Sequence, residues 1–123
     1  MARILVVEDS PDERQVLTEL LSDAGHEVCL AAHGREALRL LNQKPVELAI
    51  TDVLMPEMDG IEMILAMRRD FPAVKIIAVS GGGVFGPEHC LRLTQNLGAR
   101  HVLEKPFTGE EMLHAVNSVL TVA

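Results

Sequence analysis

The sequence predicts an α/β protein, a parallel sheet with helices on both of its faces. Three observations predict it. Short apolar runs alternate with segments whose apolar residues recur at helical spacing. The runs are continuously apolar rather than alternating, as strands buried on both faces are. The connections are short, so five β-α units fill the 123 residues as one domain, residues 1–123.

Each element has its own signal. "RILVVE" (Arg3–Glu8) reads as a buried strand. Ser10, Pro11 and Glu13 then spell a helix start, with Ser10 as N-cap, Pro11 at the first helical position and Glu13 at capping-box spacing. Val16, Leu17, Leu20, Leu21 and Ala24 follow at helical spacing, and Gly25 ends that helix. "EVCLAA" (Glu27–Ala32) is the second strand, and Arg35–Gln43 the second helix, with Ala37, Leu38 and Leu41 inward. "ELAIT" (Glu47–Thr51) is the third strand. The third helix, Gly60–Asp70, runs through Ile61, Ile64 and Leu65 and stops before Phe71-Pro72. The pair Met63 and Met67, at i and i+4, is read as core. "KIIAVS" (Lys75–Ser80) is the fourth strand, Pro87–Leu97 the fourth helix with Gly98 capping it, and "HVLE" (His101–Glu104) the fifth strand. Thr108, with Glu111 three residues on, caps a last helix through Met112, Leu113, Val116 and Leu120.

Composition narrows the function. A net charge of -7 argues against a phosphate-backbone binder, so no direct nucleic-acid contact is expected. Cys29 and Cys90 stand far apart without C-x-x-C spacing and read as packing thiols of a reduced, cytoplasmic protein. No basic-then-apolar leader pattern occurs, and no apolar run approaches the roughly 18 residues of a membrane helix. The five histidines show no metal-ligand spacing.

Ligands of open α/β sheets bind outside the carboxyl ends of the strands. There the sequence puts Glu8 and Asp9 after the first strand, Asp52 after the third, Ser80 after the fourth and Lys105 after the fifth. Singly, each has an ordinary reading as cap, turn or surface residue. Together they gather three carboxylates, a hydroxyl and an ammonium on one rim. Close carboxylates repel and raise one another's pKa, and a divalent cation removes the conflict. Mg²⁺ takes a few protein oxygens plus waters and a phosphate. One carboxylate can then act as a nucleophile towards a phosphoryl group, with the ammonium and hydroxyl steadying its oxygens.

Glu8-Asp9, Asp52 with Met55-Pro56, Ser80 and Lys105-Pro106-Phe107, in this order, resemble a CheY-like receiver domain of bacterial two-component response regulators. The resemblance covers essentially the whole chain. It implies a flavodoxin-like, doubly wound three-layer sandwich with strand order 2-1-3-4-5. It implies Asp52 as phosphoacceptor, Mg²⁺ on Asp9, Asp52 and the Leu54 carbonyl with Glu8 acting through water, and Ser80 and Lys105 on the phosphoryl group. It implies a cis Lys105-Pro106 bond. A sensor histidine kinase or phosphotransfer protein would be the donor. A downstream partner would meet the face formed by the fourth helix, fifth strand and last helix. The protein would be a switch rather than a metabolic enzyme. It would be either a stand-alone regulator or the N-terminal receiver of a longer chain, with a homodimer left open.

Some positions depart from that family. Val102 stands where a Tyr or Phe usually lies, so switching is expected to rest on Ser80 and the permissive Gly81-Gly82-Gly83. Ser80 to Lys105 is longer than the family norm, and Phe85 reads either as a partner anchor or as packing beneath that loop. Leu54 and Gly82 offer no polar side chain to orient a hydrolytic water, so slow self-dephosphorylation is expected. Two other classes compete. "GGGVFG" (Gly81–Gly86) matches a dinucleotide fingerprint, but it sits in the fourth β-α unit rather than the first. Haloacid-dehalogenase-type Mg²⁺ phosphohydrolases carry an acid two residues after the nucleophile, where this chain has Leu54.

Overall fold

The computed structural model describes residues 2–53, 60–80 and 97–121. Strands β1 (Arg3–Val7), β2 (Glu27–Ala31), β3 (Leu48–Asp52), β4 (Lys75–Ser80) and β5 (His101–Glu104) form one sheet. All pairings are parallel, and the order is β2-β1-β3-β4-β5, as expected. Among the described residues the helices are α1 (Pro11–Asp23), α2 (Gly34–Gln43), α3 (Gly60–Asp70) and α4 (Gly109–Thr121). The helix expected over Pro87–Leu97 lies outside the described residues except for Leu97 at its end, as do Leu54, Met55-Pro56, Gly81–Gly86 and Cys90.

Strand periodicity of two sorts the core into two layers. Ile4 and Val6, Leu48 and Ile50, Ile77 and Val79, and Leu103 point to one side. They pack with Leu17 and Leu21 of α1 and with Met112, Ala115, Val116 and Val119 of α4. Leu5 and Val7, Ala49, Ile76 and Ala78 point to the other side. They pack with Ala37 and Leu41 of α2 and with Met63, Ile64 and Met67 of α3. Central strands therefore read as unbroken apolar runs. The Met63 and Met67 side chains are fully buried.

The structure corrects several sequence expectations. Val16 and Leu65, both counted from sequence among the apolar helical positions, are 63% and 51% exposed. Each lies about 100° around its helix from the buried residue next to it, Leu17 or Ile64, beyond the width of the packed stripe. β2 is an edge strand, and its Leu30 is 41% exposed. Cys29, half-buried, packs against the α2–α3 side of the core.

Helix ends follow capping chemistry. Ser10 caps α1 and accepts from the Glu13 N–H at 3.4 Å. α1 finishes in a Schellman turn: Gly25, at φ 93°, and His26 donate to the Ser22 and Leu21 carbonyls at 3.0 and 3.1 Å. Thr108 and Glu111 make a complete capping box. The Glu111 N–H reaches Thr108 Oγ1 at 3.0 Å, and the Thr108 N–H reaches Glu111 Oε1 at 2.9 Å.

Candidate functional site

The ladders bring three reactive side chains to one rim because β3 lies beside β1 and only β4 separates it from β5. Glu8 follows β1, and its N–H extends the ladder to the Ala31 carbonyl at 3.0 Å. Asp52 is the last residue of β3. Lys105 follows β5, held by its N–H to the Ser80 carbonyl at 2.8 Å, and the Lys105-Pro106 peptide is cis. Glu8, Asp52 and Lys105 continue the side-chain rows of Val6, Ile50 and Leu103, so they emerge on the α1–α4 side of the sheet.

There they meet. Lys105 Nζ lies 2.9 Å from Glu13 Oε2, 3.0 Å from Asp52 Oδ2 and 3.1 Å from Glu8 Oε1. Oxygens of Glu8, Glu13 and Asp52 all lie within 4.8 Å of one another. The Glu8 and Asp52 side chains are only 4% and 7% exposed, whereas Glu13 is 46% exposed. Arg14 Nη1 pins the β1–α1 loop by donating to the carbonyls of Glu8 at 2.9 Å and Asp9 at 3.4 Å. Glu8 Oε2 accepts from the Ser10 N–H at 3.2 Å. A groove of about 580 Å³ runs beside the cluster, lined in part by Val16, Leu17, Pro106 and Phe107.

The electrostatics follow from burial and bonding. Burial pushes the Glu8 carboxyl up to about 8, and the neighbouring Asp9 carboxylate pushes the same way. Its bonds from the Ser10 N–H and Lys105 oppose that rise. The Lys105 hydrogen bond holds Glu13 below the usual carboxylate range. Burial would lower the Lys105 ammonium, but hydrogen bonds to Glu13, Asp52 and Glu8 together raise it. The site is thus acidic: three carboxyl groups surround one ammonium.

Of the residues singled out from sequence, the structure brings Glu8, Asp52 and Lys105 into contact. Asp9 is exposed, beside Glu8 but not among the three carboxylates grouped within 4.8 Å. Ser80 is buried at the end of β4, paired with Glu104 across the ladder. Val102 is half-buried in β5, paired with Ala78 and packed on the α2–α3 side of the core. Leu54 and Gly81-Gly82-Gly83 lie outside the described residues. Sequence reasoning missed Glu13, which it read only as a helix-start residue. The available signal was its position in the first turn of a helix opening on the rim.

The buried carboxyl oxygens of Glu8 and Asp52 fit Mg²⁺, with no sulfur or imidazole in their cluster. Known proteins resemble this chain over nearly its whole length. Residues 4–117 match the profile of the response regulator receiver domain. Protein PilH of Pseudomonas aeruginosa is 33% identical over 122 residues, covering 98% of both chains. An NtrX-like putative response regulator of Rickettsia bellii is 30% identical over 112 residues; the match spans 89% of this chain but 23% of that longer protein. Among solved structures, response regulator TrrA of Thermotoga maritima, in complex with Mg²⁺ and BeF, superimposes with a TM-score of 0.84. It is 30% identical and covers 97% of this chain and 99% of its own.

Proposed function

The chain belongs to the response regulator receiver domain family, whose members are phosphoacceptor switches, and from that premise we propose that Asp52 is its phosphoacceptor. The observation that carries this is the Asp52 carboxylate at the carboxyl end of β3, 3.0 Å from Lys105 and grouped with two further carboxylates. An Asp52 oxygen lone pair forms the new P–O bond as the P–N bond of a donor phosphohistidine breaks. The imidazole leaves with the bonding pair and is protonated. Lys105 takes up charge on the phosphoryl oxygens, and Ser80 supplies a hydroxyl from the neighbouring strand end. Glu8 and Asp52, with Asp9 and the Leu54 carbonyl, would hold Mg²⁺, which supplies positive charge to offset the carboxylates and the incoming phosphoryl group.

The donor is a sensor histidine kinase or a phosphotransfer protein, and we place this receiver chain in the cytoplasm. Among the described residues no helix is long and apolar enough to cross a membrane. Output passes to a downstream partner through a surface that includes β5 and α4, by a population shift between two states. Val102 cannot supply an aromatic ring to that shift, so the Ser80–Gly83 segment is the switching element we favour.

Phosphorylation by acetyl phosphate, followed by mass spectrometry of the intact protein, tests the assignment. The wild type is expected to gain one phosphoryl group when Mg²⁺ is present and none in chelator. Asp52→Asn is expected to gain none in either. Uptake at an undiminished rate in Asp52→Asn would show that the acceptor lies elsewhere.

A further inference from the structure

Lys105 has three N–H donors, and all three are spent on carboxyl oxygens at 2.9, 3.0 and 3.1 Å. A phosphoryl oxygen on Asp52 can be bonded by Lys105 only if one of those acceptors lets go. The three are not equivalent. Glu8 and Asp52 are almost wholly buried, so losing the ammonium leaves a buried polar group short of a partner. The Glu13 side chain is 46% exposed, and water can replace the lysine there. Glu13 is therefore the acceptor that yields first.

It also has somewhere to go. Ser10 and Glu13 have capping-box spacing, yet only half of the box is made. The Glu13 N–H reaches Ser10 Oγ, but the Ser10 N–H is taken by Glu8 Oε2 at 3.2 Å, and the Glu13 carboxylate lies on Lys105 instead. The same pattern at Thr108 and Glu111, with no lysine in competition among the described residues, closes completely. A cation that drew Glu8 away would free the Ser10 N–H, which capping-box spacing would let Glu13 take.

We propose that Glu13 is a positioning residue, a placeholder anion that occupies on Lys105 the hydrogen-bond position a phosphoryl oxygen later takes. This rests on Asp52 being the phosphoacceptor. As placeholder, Glu13 restrains the reaction twice: it ties up one lysine donor, and its charge opposes the arriving phosphoryl group. A residue that merely braced Lys105 would have the opposite sign, because removing it would slow the reaction.

The experiment compares wild type, Glu13→Gln and Glu13→Ala in three measurements. The first is the second-order rate constant for phosphorylation by acetyl phosphate at saturating Mg²⁺. Both variants are expected to be about two- to fivefold faster, the range set by one partly exposed ion pair. The second is Mg²⁺ affinity by calorimetry without a phosphodonor, expected to change less than about threefold, again on the scale of one such pair. The third is the Ser10 amide resonance on adding Mg²⁺ and beryllofluoride. It should report a closed box in wild type and Glu13→Gln, since Gln also serves at that position, and an open one in Glu13→Ala. Rates equal to or below wild type in both variants overturn the proposal. So does a roughly tenfold loss of Mg²⁺ affinity, about 1.4 kcal/mol, which would put Glu13 in the cation's own shell. Asp52→Asn in each background separates the two readings: uptake that persists there indicts the acceptor assignment, not the placeholder.

Discussion

Glu8 makes Mg²⁺ binding a proton-releasing step. Its carboxyl is 4% exposed and pushed up to about 8 by burial and by Asp9, so without a cation it carries a proton at neutral pH. A pKa of about 8 leaves about 0.9 of the sites protonated at pH 7 and about half at pH 8. Binding a divalent cation requires the carboxylate, so Mg²⁺ affinity should rise about 50-fold between pH 6 and pH 8. The sign for folding is the reverse. The folded-state value lies above the ordinary 4.5, so the proton stabilises the metal-free fold fully below about pH 4.5. That contribution is lost as pH rises through about 8, by up to about 5 kcal/mol. Saturating Mg²⁺ should flatten the loss. Calorimetry in buffers of different ionisation enthalpy counts the released protons: about 0.9 per Mg²⁺ at pH 7 in wild type and about none in Glu8→Gln. Release near zero in wild type, with an affinity that does not change from pH 6 to 8, would refute the reasoning. The bonds from Lys105 and the Ser10 N–H would then outweigh burial.

Two further predictions concern the scaffold that holds the rim. Met112, fully buried between α4 and the sheet, should cost about 2–5 kcal/mol on Met112→Ala, read from urea unfolding with an unchanged m-value. A cost below about 1 kcal/mol would mean that the α4 contact is looser than its burial implies. Thr108→Ala removes the acceptor for the Glu111 N–H, bonded at 3.0 Å, and should cost about 0.5–2 kcal/mol. No measurable change in the unfolding midpoint would refute that capping role.

Much of the fold was legible because the central strands are covered on both faces. "ILVV", "LAI" and "IIAV" could be read without knowing their neighbours. What was not legible depends on position in the finished sheet. β2 has the same apolar look, but it lies at the edge, and nothing within "EVCLAA" says that Leu30 will face water. Val16 and Leu65 fail for a related reason: an apolar stripe in sequence is wider than the face a helix can press on the sheet. The cap of α2 was missed because it is a histidine. His33 Nδ1 accepts from the Glu36 N–H at 3.3 Å, while Glu36 Oε1 accepts from the Ala32 N–H at 2.7 Å. The trace was there, a Glu three residues after a residue with an acceptor atom, but His is seldom counted among caps.

The site shows the same division between local and assembled information. Glu8, Asp52 and Lys105 could be named because each ends a strand, and in a parallel sheet all strand ends of one kind share a rim. Glu13 could not, because its local pattern was complete without the rim. Ser10-x-x-Glu13 and Thr108-x-x-Glu111 are the same kind of motif, and capping chemistry predicts the same pair of bonds for both. The second makes both bonds and the first makes one. The difference lies in residues remote in sequence. Glu8, folded back from the end of β1, takes the Ser10 N–H, and Lys105, some 90 residues away, takes the Glu13 carboxylate. An ammonium among buried acids is a stronger attractor for a carboxylate than a neutral backbone N–H at a helix start. A local motif thus reports what its residues do when nothing stronger is near. Where one is left half-made beside a charged cluster, the missing half is evidence about the cluster.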